Sequence, residues 1–168
     1  MTEMEMPSWA DPVAFKASGR NNESLPSVPL STWTKFYFET TPDFNVGFIY
    51  QPVNSQIGVV EDGIYHLNTQ IQLFTYGESL SVRLRLKRGA NETTIAEQNK
   101  SVYSLENPPT LSDIIFVDAV SISTDMMLLA GDIVWVEFYF NTTYHNSPFP
   151  LSSLNNRTWF SGHLVARL

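Results

Sequence analysis

The chain has 168 residues, no cysteine, and ten Lys and Arg against seventeen Asp and Glu, a formal charge of −7. These totals exclude a disulfide framework and a thiolate metal site, and they oppose a nucleic-acid binder, which needs a basic footprint. Eleven Phe, seven Tyr, four Trp, ten Pro and eight Gly among short apolar runs indicate one all-β domain.

Residues 1–12 are expected to form a flexible arm. Met1 to Met6 is polar and acidic, and Pro7 and Pro12 discourage a regular element. The segment has no basic n-region and no apolar h-region, so it reads as an arm and not as a signal peptide. Trp9 is its apolar anchor. It is either a docking residue for a partner such as a capsid or fibre protein, or part of a frayed end.

From Val13 to Leu168 the pattern predicts strands at 13–18, 33–39, 47–51, 56–60, 63–74, 79–88, 93–104, 114–123, 132–140 and 157–167. Turn residues separate them: Pro42-Asp43, Glu61-Asp62-Gly63, Tyr76-Gly77-Glu78, Gly89-Ala90-Asn91, Pro108-Pro109 and Ala130-Gly131-Asp132. The 79–88 strand alternates, with Val82, Leu84 and Leu86 on one face and Arg83, Arg85 and Lys87 on the other. With Arg88 these cations form a stripe. It reads as a solvated face that discourages edge pairing, or as a binder of sulfated or sialylated glycan through guanidinium forks.

The 132–140 strand is apolar on both faces. Ile133, Trp135 and Tyr139 share one with Glu137, and Val134, Val136, Phe138 and Phe140 occupy the other. A two-sheet sandwich covers only one face, so a long loop or another subunit is expected on the second. The longest apolar region, Met126 to Phe140, is broken by Gly131, Asp132 and Glu137 and is too short and polar to span a membrane.

Several motifs now align. Asn45-Val-Gly-Phe-Ile-Tyr50, Gly63-Ile-Tyr65, Leu129-Ala-Gly131-Asp132 followed by Val134, and Phe160-Ser-Gly162 occur in an order and spacing that resembles the C1q-domain family, within the wider tumour-necrosis-factor-like jelly rolls. The resemblance runs from about Val13 to Leu168. It departs at Ser55-Gln-Ile57, where the family usually has a Gly and a Phe, at Leu67, where an aromatic is common, and in having no collagen stalk. The resemblance implies an all-β, two-sheet jelly-roll sandwich of about ten strands, C1q/TNF-like, assembled as a homotrimer. It also implies a binding module and not an enzyme. Tyr65, His66, Trp159 and His163 are then expected at or near the trimer interface, on neighbouring strands of the inner sheet.

No Gly-x-Ser-x-Gly elbow, phosphate-binding Gly loop or His-Glu-x-x-His occurs, and His66, His145 and His163 are dispersed. Asp43, Glu61, Asp62 and Asp132 could offer oxygens to calcium, but turn chemistry alone accounts for Asp there. No metal and no cofactor is expected. Sequons at Asn22, Asn91, Asn99, Asn141 and Asn156 read as chance in an Asn-, Ser- and Thr-rich chain, and as surface glycans if the protein is secreted. The function expected is a virion-surface or capsid-associated module for attachment or assembly. The alternative is a secreted lectin-like protein with a glycan or protein receptor. A sandwich hydrolase would require an acid–base cluster in a deep pocket.

Overall fold

A computed structural model describes residues 11–19, 32–47, 49–74, 79–101, 119–141, 152–153 and 157–168. Trp9, His145, Asn22, Asn156 and the expected strand portions 102–104 and 114–118 lie outside the described residues.

Among the described residues every regular element is a strand. They are β1 (Ala14–Ser18), β2 (Thr34–Lys35), β3 (Phe44–Val46), β4 (Tyr50–Gln51), β5 (Gln56–Gly58), β6 (Gly63–Ile71), β7 (Leu73–Phe74), β8 (Ser79–Arg88), β9 (Asn91–Ser101), β10 (Val120–Leu128), β11 (Ile133–Asn141), β12 (Ser152–Ser153) and β13 (Trp159–Arg167). One antiparallel sheet runs β10-β6-β13-β1-β3. The other runs β4-β5-β11-β8-β9, with β2 paired to β11 beyond the end of β5, and β7 pairs β12.

The two sheets close on an apolar core. Phe15, Tyr65, Leu67 and Phe160 come from the first sheet, and Val82, Leu84, Val134, Val136 and Phe138 from the second. Phe36 and Phe38, on the extended chain after β2, are also fully buried. Rings meet at offsets favourable to aromatic pairs. Phe15 and Phe160 are 4.9 Å apart and nearly perpendicular, and Phe36 meets Phe138 at 5.6 Å. Each such side chain contributes about 1.5–3 kcal/mol by leaving water, so this layer fixes the register of both sheets.

Several expected boundaries shift. The strand expected at 33–39 is paired only at Thr34–Lys35, and that expected at 47–51 is strand only at Tyr50–Gln51, with β3 added before Gly47, whose φ is +84°. The strand expected at 63–74 breaks at Gln72, whose N–H donates to the Thr158 hydroxyl at 3.2 Å instead of continuing a ladder. β10 runs on to Leu128, past the 123 expected from sequence, because Thr124 to Leu128 pair in register with Leu67 to Gly63. In β13 the alternation expected to bury Phe160, Gly162, Leu164 and Ala166 holds as far as Leu164, which is partly buried against the core. A bulge between Leu164 and Ala166 turns the last residues outward, and Ala166 is exposed.

The turn into β11 follows the expected chemistry. Gly131 has φ +94°, and Asp132 closes the turn by accepting from the Leu129 N–H at 2.9 Å.

Candidate interaction surfaces

Alternation puts a different chemistry on the outward face of each sheet. On the β10-β6-β13-β1-β3 sheet the register sets side chains in rows. Val46, Ala14, His163, His66 and Asp125 form one, and Phe44, Lys16, Ser161, Asn68 and Ser123 the next. The centre is polar and internally bonded. Trp159 Nε1 donates to Asn68 at 2.9 Å, Ser121 donates to Gln70 at 2.9 Å, and Lys16 lies 5.9 Å from the Trp159 ring. The rim is apolar, with Phe44, Val46, Met127 and Val165 all exposed.

The residues expected at an interface are placed unequally. His66, His163 and Trp159 lie on this outer face, and the two imidazoles are 5.3 Å apart. Tyr65 does not: it points into the sandwich, is fully buried, and donates its hydroxyl to the Glu61 carbonyl at 2.8 Å. Burial, and then the neighbouring Glu61, raise the pKa of that phenol and keep it neutral. Its position in β6 follows from period-2 alternation, which puts residues 65 and 66 on opposite faces.

Sequence reasoning missed one constellation. Asp125 Oδ1 lies 2.6 Å from His66 Nδ1, and Ser123 Oγ lies 3.3 Å from His66 Nε2. The order hydroxyl, imidazole, carboxylate is that of a nucleophilic triad. The setting differs. The three side chains stand on a flat sheet face, Asp125 is exposed, and β6 is paired on both sides, so its N–H groups serve the ladders and not an oxyanion. A cleft of about 330 Å³ lies elsewhere, between Asp11–Val13 and Leu164–Arg167. The bonded Ser-x-Asp spacing on β10 was the available signal, but the pairing with His66 is non-local.

The outward face of the second sheet carries Arg83, Arg85 and Lys87, as expected. It is not the open solvated stripe that alternation alone suggests. Arg83 binds Glu137 through Nε at 2.8 Å and stacks on Trp33 at 4.0 Å. Arg85 donates to Thr94 at 3.0 Å and lies in a cluster with Glu92 and Glu137. Arg88 belongs to neither face of the stripe and binds the buried Asp132. Lys87 is exposed.

These contacts decide between the two coverings expected for β11. Its second apolar face is covered from within the chain, by Trp33 against Tyr139 at 5.5 Å and by Lys35, Arg83 and Arg85 beside Trp135 and Glu137. No second subunit is needed there. Trp135 Nε1 donates to Glu137 at 2.9 Å, so the indole's polar atom is satisfied.

The four turn carboxylates do not converge on a cation. Asp43 accepts from Ser18, Glu61 binds Arg167, Asp62 accepts from the Ala130 N–H, and Asp132 binds Arg88. Among the described residues no group of three or more acidic, His or Cys side chains could hold a metal. Among them, too, no helix is long and apolar enough to cross a membrane.

No family profile matches the sequence, and no curated protein matches it significantly. Solved structures do. Murine APRIL at pH 8.0 superposes with a TM-score of 0.66 at 14% identity, over 92% of this chain and 99% of that one. Eiger TNF from S. frugiperda gives 0.66 at 14% identity, over 94% and 95%. The globular domain of zebrafish complement 1qA gives 0.63 at 16% identity, over 94% and 99%. The fold is the C1q/TNF-like jelly roll.

Proposed function

We propose that this C1q/TNF-like jelly roll is a non-enzymatic recognition module that works as a homotrimer, attached to a virion surface or a capsid-associated assembly and used for attachment. The observation that carries the trimer is the outer face of the β10-β6-β13-β1-β3 sheet. It exposes Phe44 at 45%, Val46 at 42%, Met127 at 53% and Val165 at 56%, around a centre whose polar groups already bond one another. Burying such a face leaves few donors stranded, Lys16 beside the Trp159 ring being the exception, and apolar groups gain by it. A threefold ring needs a heterologous contact, so this face meets a different surface of the next copy. A stable contact buries about 800 Å² per partner.

His66, His163 and Trp159 then lie in or beside the contact. Trp9 is proposed as the residue through which the arm engages a capsid or fibre protein, and a cysteine-free composition suits that setting. A secreted setting is the second reading. Asn91 and Asn99 favour it, because both sequons lie on β9, an edge strand with exposed residues along its length. Glycans there would block edge pairing.

The test of the assembly is a pair of variants. Val46→Glu and Val165→Glu are each expected to reduce the solution mass to one chain while near-ultraviolet circular dichroism stays native. Tyr37→Glu, on the opposite sheet, is expected to leave the mass unchanged. If all three keep the wild-type mass, the contact lies elsewhere.

A further inference from the structure

We infer that the outer face of the second sheet holds a site for a carboxylated sugar, built on Lys35, Tyr37, Gln51 and Gln56. It rests on the recognition-module reading for its purpose and not on the trimer for its geometry.

Charge is the first ground. The chain carries −7 overall. On this face, β2, β8, β9 and β11 present Lys35, Arg83, Arg85 and Lys87 against Glu92, Glu97 and Glu137, an excess of one cation. An acidic ligand repelled by the rest of the molecule is accepted here.

The second ground is which cation is left to act. Arg83 is held by Glu137, and Arg85 spends Nη1 on Thr94 and Nη2 on Glu92, while its Nε is buried without a hydrogen-bond partner among the described residues and so is closed to a ligand. Lys35 is held by one neutral acceptor, Gln56 Oε1 at 2.9 Å, and lies 5.7 Å and 5.8 Å from the Tyr37 and Trp135 ring centroids. It is partly withdrawn from water, and burial lowers its pKa more than Glu137 raises it. A ligand carboxylate replaces solvation that this ammonium lacks, so it gains more here than at an open lysine.

The third ground is what surrounds the ammonium. Tyr37 is 44% exposed and offers a ring face to the C–H side of a pyranose. Gln56 Nε2 donates to Gln51 Oε1 at 2.8 Å, and the Nε2 of the exposed Gln51 lies over Gly58 on the same face. Carboxamides carry both donors and acceptors, as vicinal sugar hydroxyls do. One point cation, an aromatic plate and two carboxamides suit a sugar better than an acidic peptide, which would call for open guanidinium forks. The site is on the sheet opposite the apolar rim, and it stays open in a trimer whose second contact surface lies outside it; repetition in three copies then adds avidity.

The test titrates the full chain with 3′-sialyllactose, lactose, lactose 3′-sulfate and a short poly-glutamate, followed by chemical-shift changes. Sialyllactose is expected to bind with Kd about 1 mM and lactose at least about tenfold more weakly. Lys35→Met is expected to weaken sialyllactose about tenfold and Tyr37→Ala about fivefold. Equal binding of lactose, or no loss with Lys35→Met, overturns the site. A preference for lactose 3′-sulfate overturns the carboxylate assignment, and tighter poly-glutamate binding overturns the sugar. Light scattering on the same samples separates the two proposals. A monomer that binds sialyllactose refutes the trimer alone, and a trimer that ignores it refutes the site alone.

Discussion

Arg88 closes Nε and Nη2 onto the carboxylate of Asp132, at 2.9 and 2.5 Å, and so ties the end of β8 to the turn that launches β11. Asp132 is buried while Arg88 is half exposed. The same carboxylate holds the Leu129 N–H, so one side chain both shapes the turn and joins two strands.

Asp132→Asn is therefore expected to lower Tm by about 5 °C at pH 7. The hydrogen bonds from Arg88, above all, hold the Asp132 carboxyl below its usual range. A depressed folded-state pKa gives stability that is present above the unfolded value near pH ~4 and is lost as pH falls through the folded one. The difference between wild type and Asp132→Asn is thus expected to shrink toward pH ~2. Urea unfolding at pH 7 and at acid pH measures it, and a constant difference would remove the ion pair from the account.

Two glycines should respond differently to one methyl group. A Cβ on Gly162 would lie 2.8 Å from the His66 carbonyl oxygen and 2.9 Å from a Leu67 methyl, between β13 and β6. At Gly131 nothing lies within 4 Å, and only its φ of +94° opposes a side chain. Gly131→Ala is expected to cost about 1–2 kcal/mol, Gly131→Val more, because a β-branched residue is worse at positive φ. Gly162→Ala is expected to cost about 3 kcal/mol or to prevent folding. Denaturant midpoints that rank the two Ala variants the other way would contradict this.

Ser55 has φ +47° and is buried, at a position where the sequence resemblance leads one to expect glycine. Its hydroxyl accepts from the Phe38 N–H at 2.9 Å and lies 3.4 Å from the Tyr50 hydroxyl. The hydroxyl offsets the strained backbone by satisfying a buried amide. Ser55→Ala loses the bond and keeps the strain, and about 2 kcal/mol of destabilisation is expected. Ser55→Gly loses the bond but relaxes the strain, and should be about 1 kcal/mol milder. Unfolding free energies of the two variants decide it.

Lys35 gives a pH effect of the same sign, but as a penalty relieved at alkaline pH. Burial lowers its folded-state pKa, so between that value and the unfolded one, near ~10.4, the unfolded chain binds more protons. Stability from this group is therefore regained as pH rises through that window. Lys35→Met is expected to be neutral or stabilising at pH 7, and to lose that rise. A clear drop in Tm at pH 7 would show that the Gln56 bond matters more than desolvation.

Much of this was legible along the chain. The alternation of Ser79–Arg88 and the Gly131-Asp132 turn are local signals, and β8 and the turn stand where they were expected. The chemistry of both outer faces was not legible, because it depends on partners far apart in sequence. Alternation places Arg83 on an outer face but says nothing of Glu137 on β11 or Trp33 before β2. It shows Ile133, Trp135 and Tyr139 as a surplus apolar face without showing the long side chains that cover them. The bulge near Val165 is equally silent, since it inserts one residue without a Gly or Pro to mark it. Outward-facing Phe44 and Val46 could not be told from core residues until β3 was paired to the edge of β1.

The central claim is that the apolar rim around His66 and His163 is where copies of the chain meet. Sedimentation velocity at micromolar concentration and neutral pH tests it most directly. A single species near three times the chain mass of 19.0 kDa is expected, and it should convert to one chain with Val46→Glu. A wild-type protein that sediments as a single 19.0 kDa species would contradict the claim.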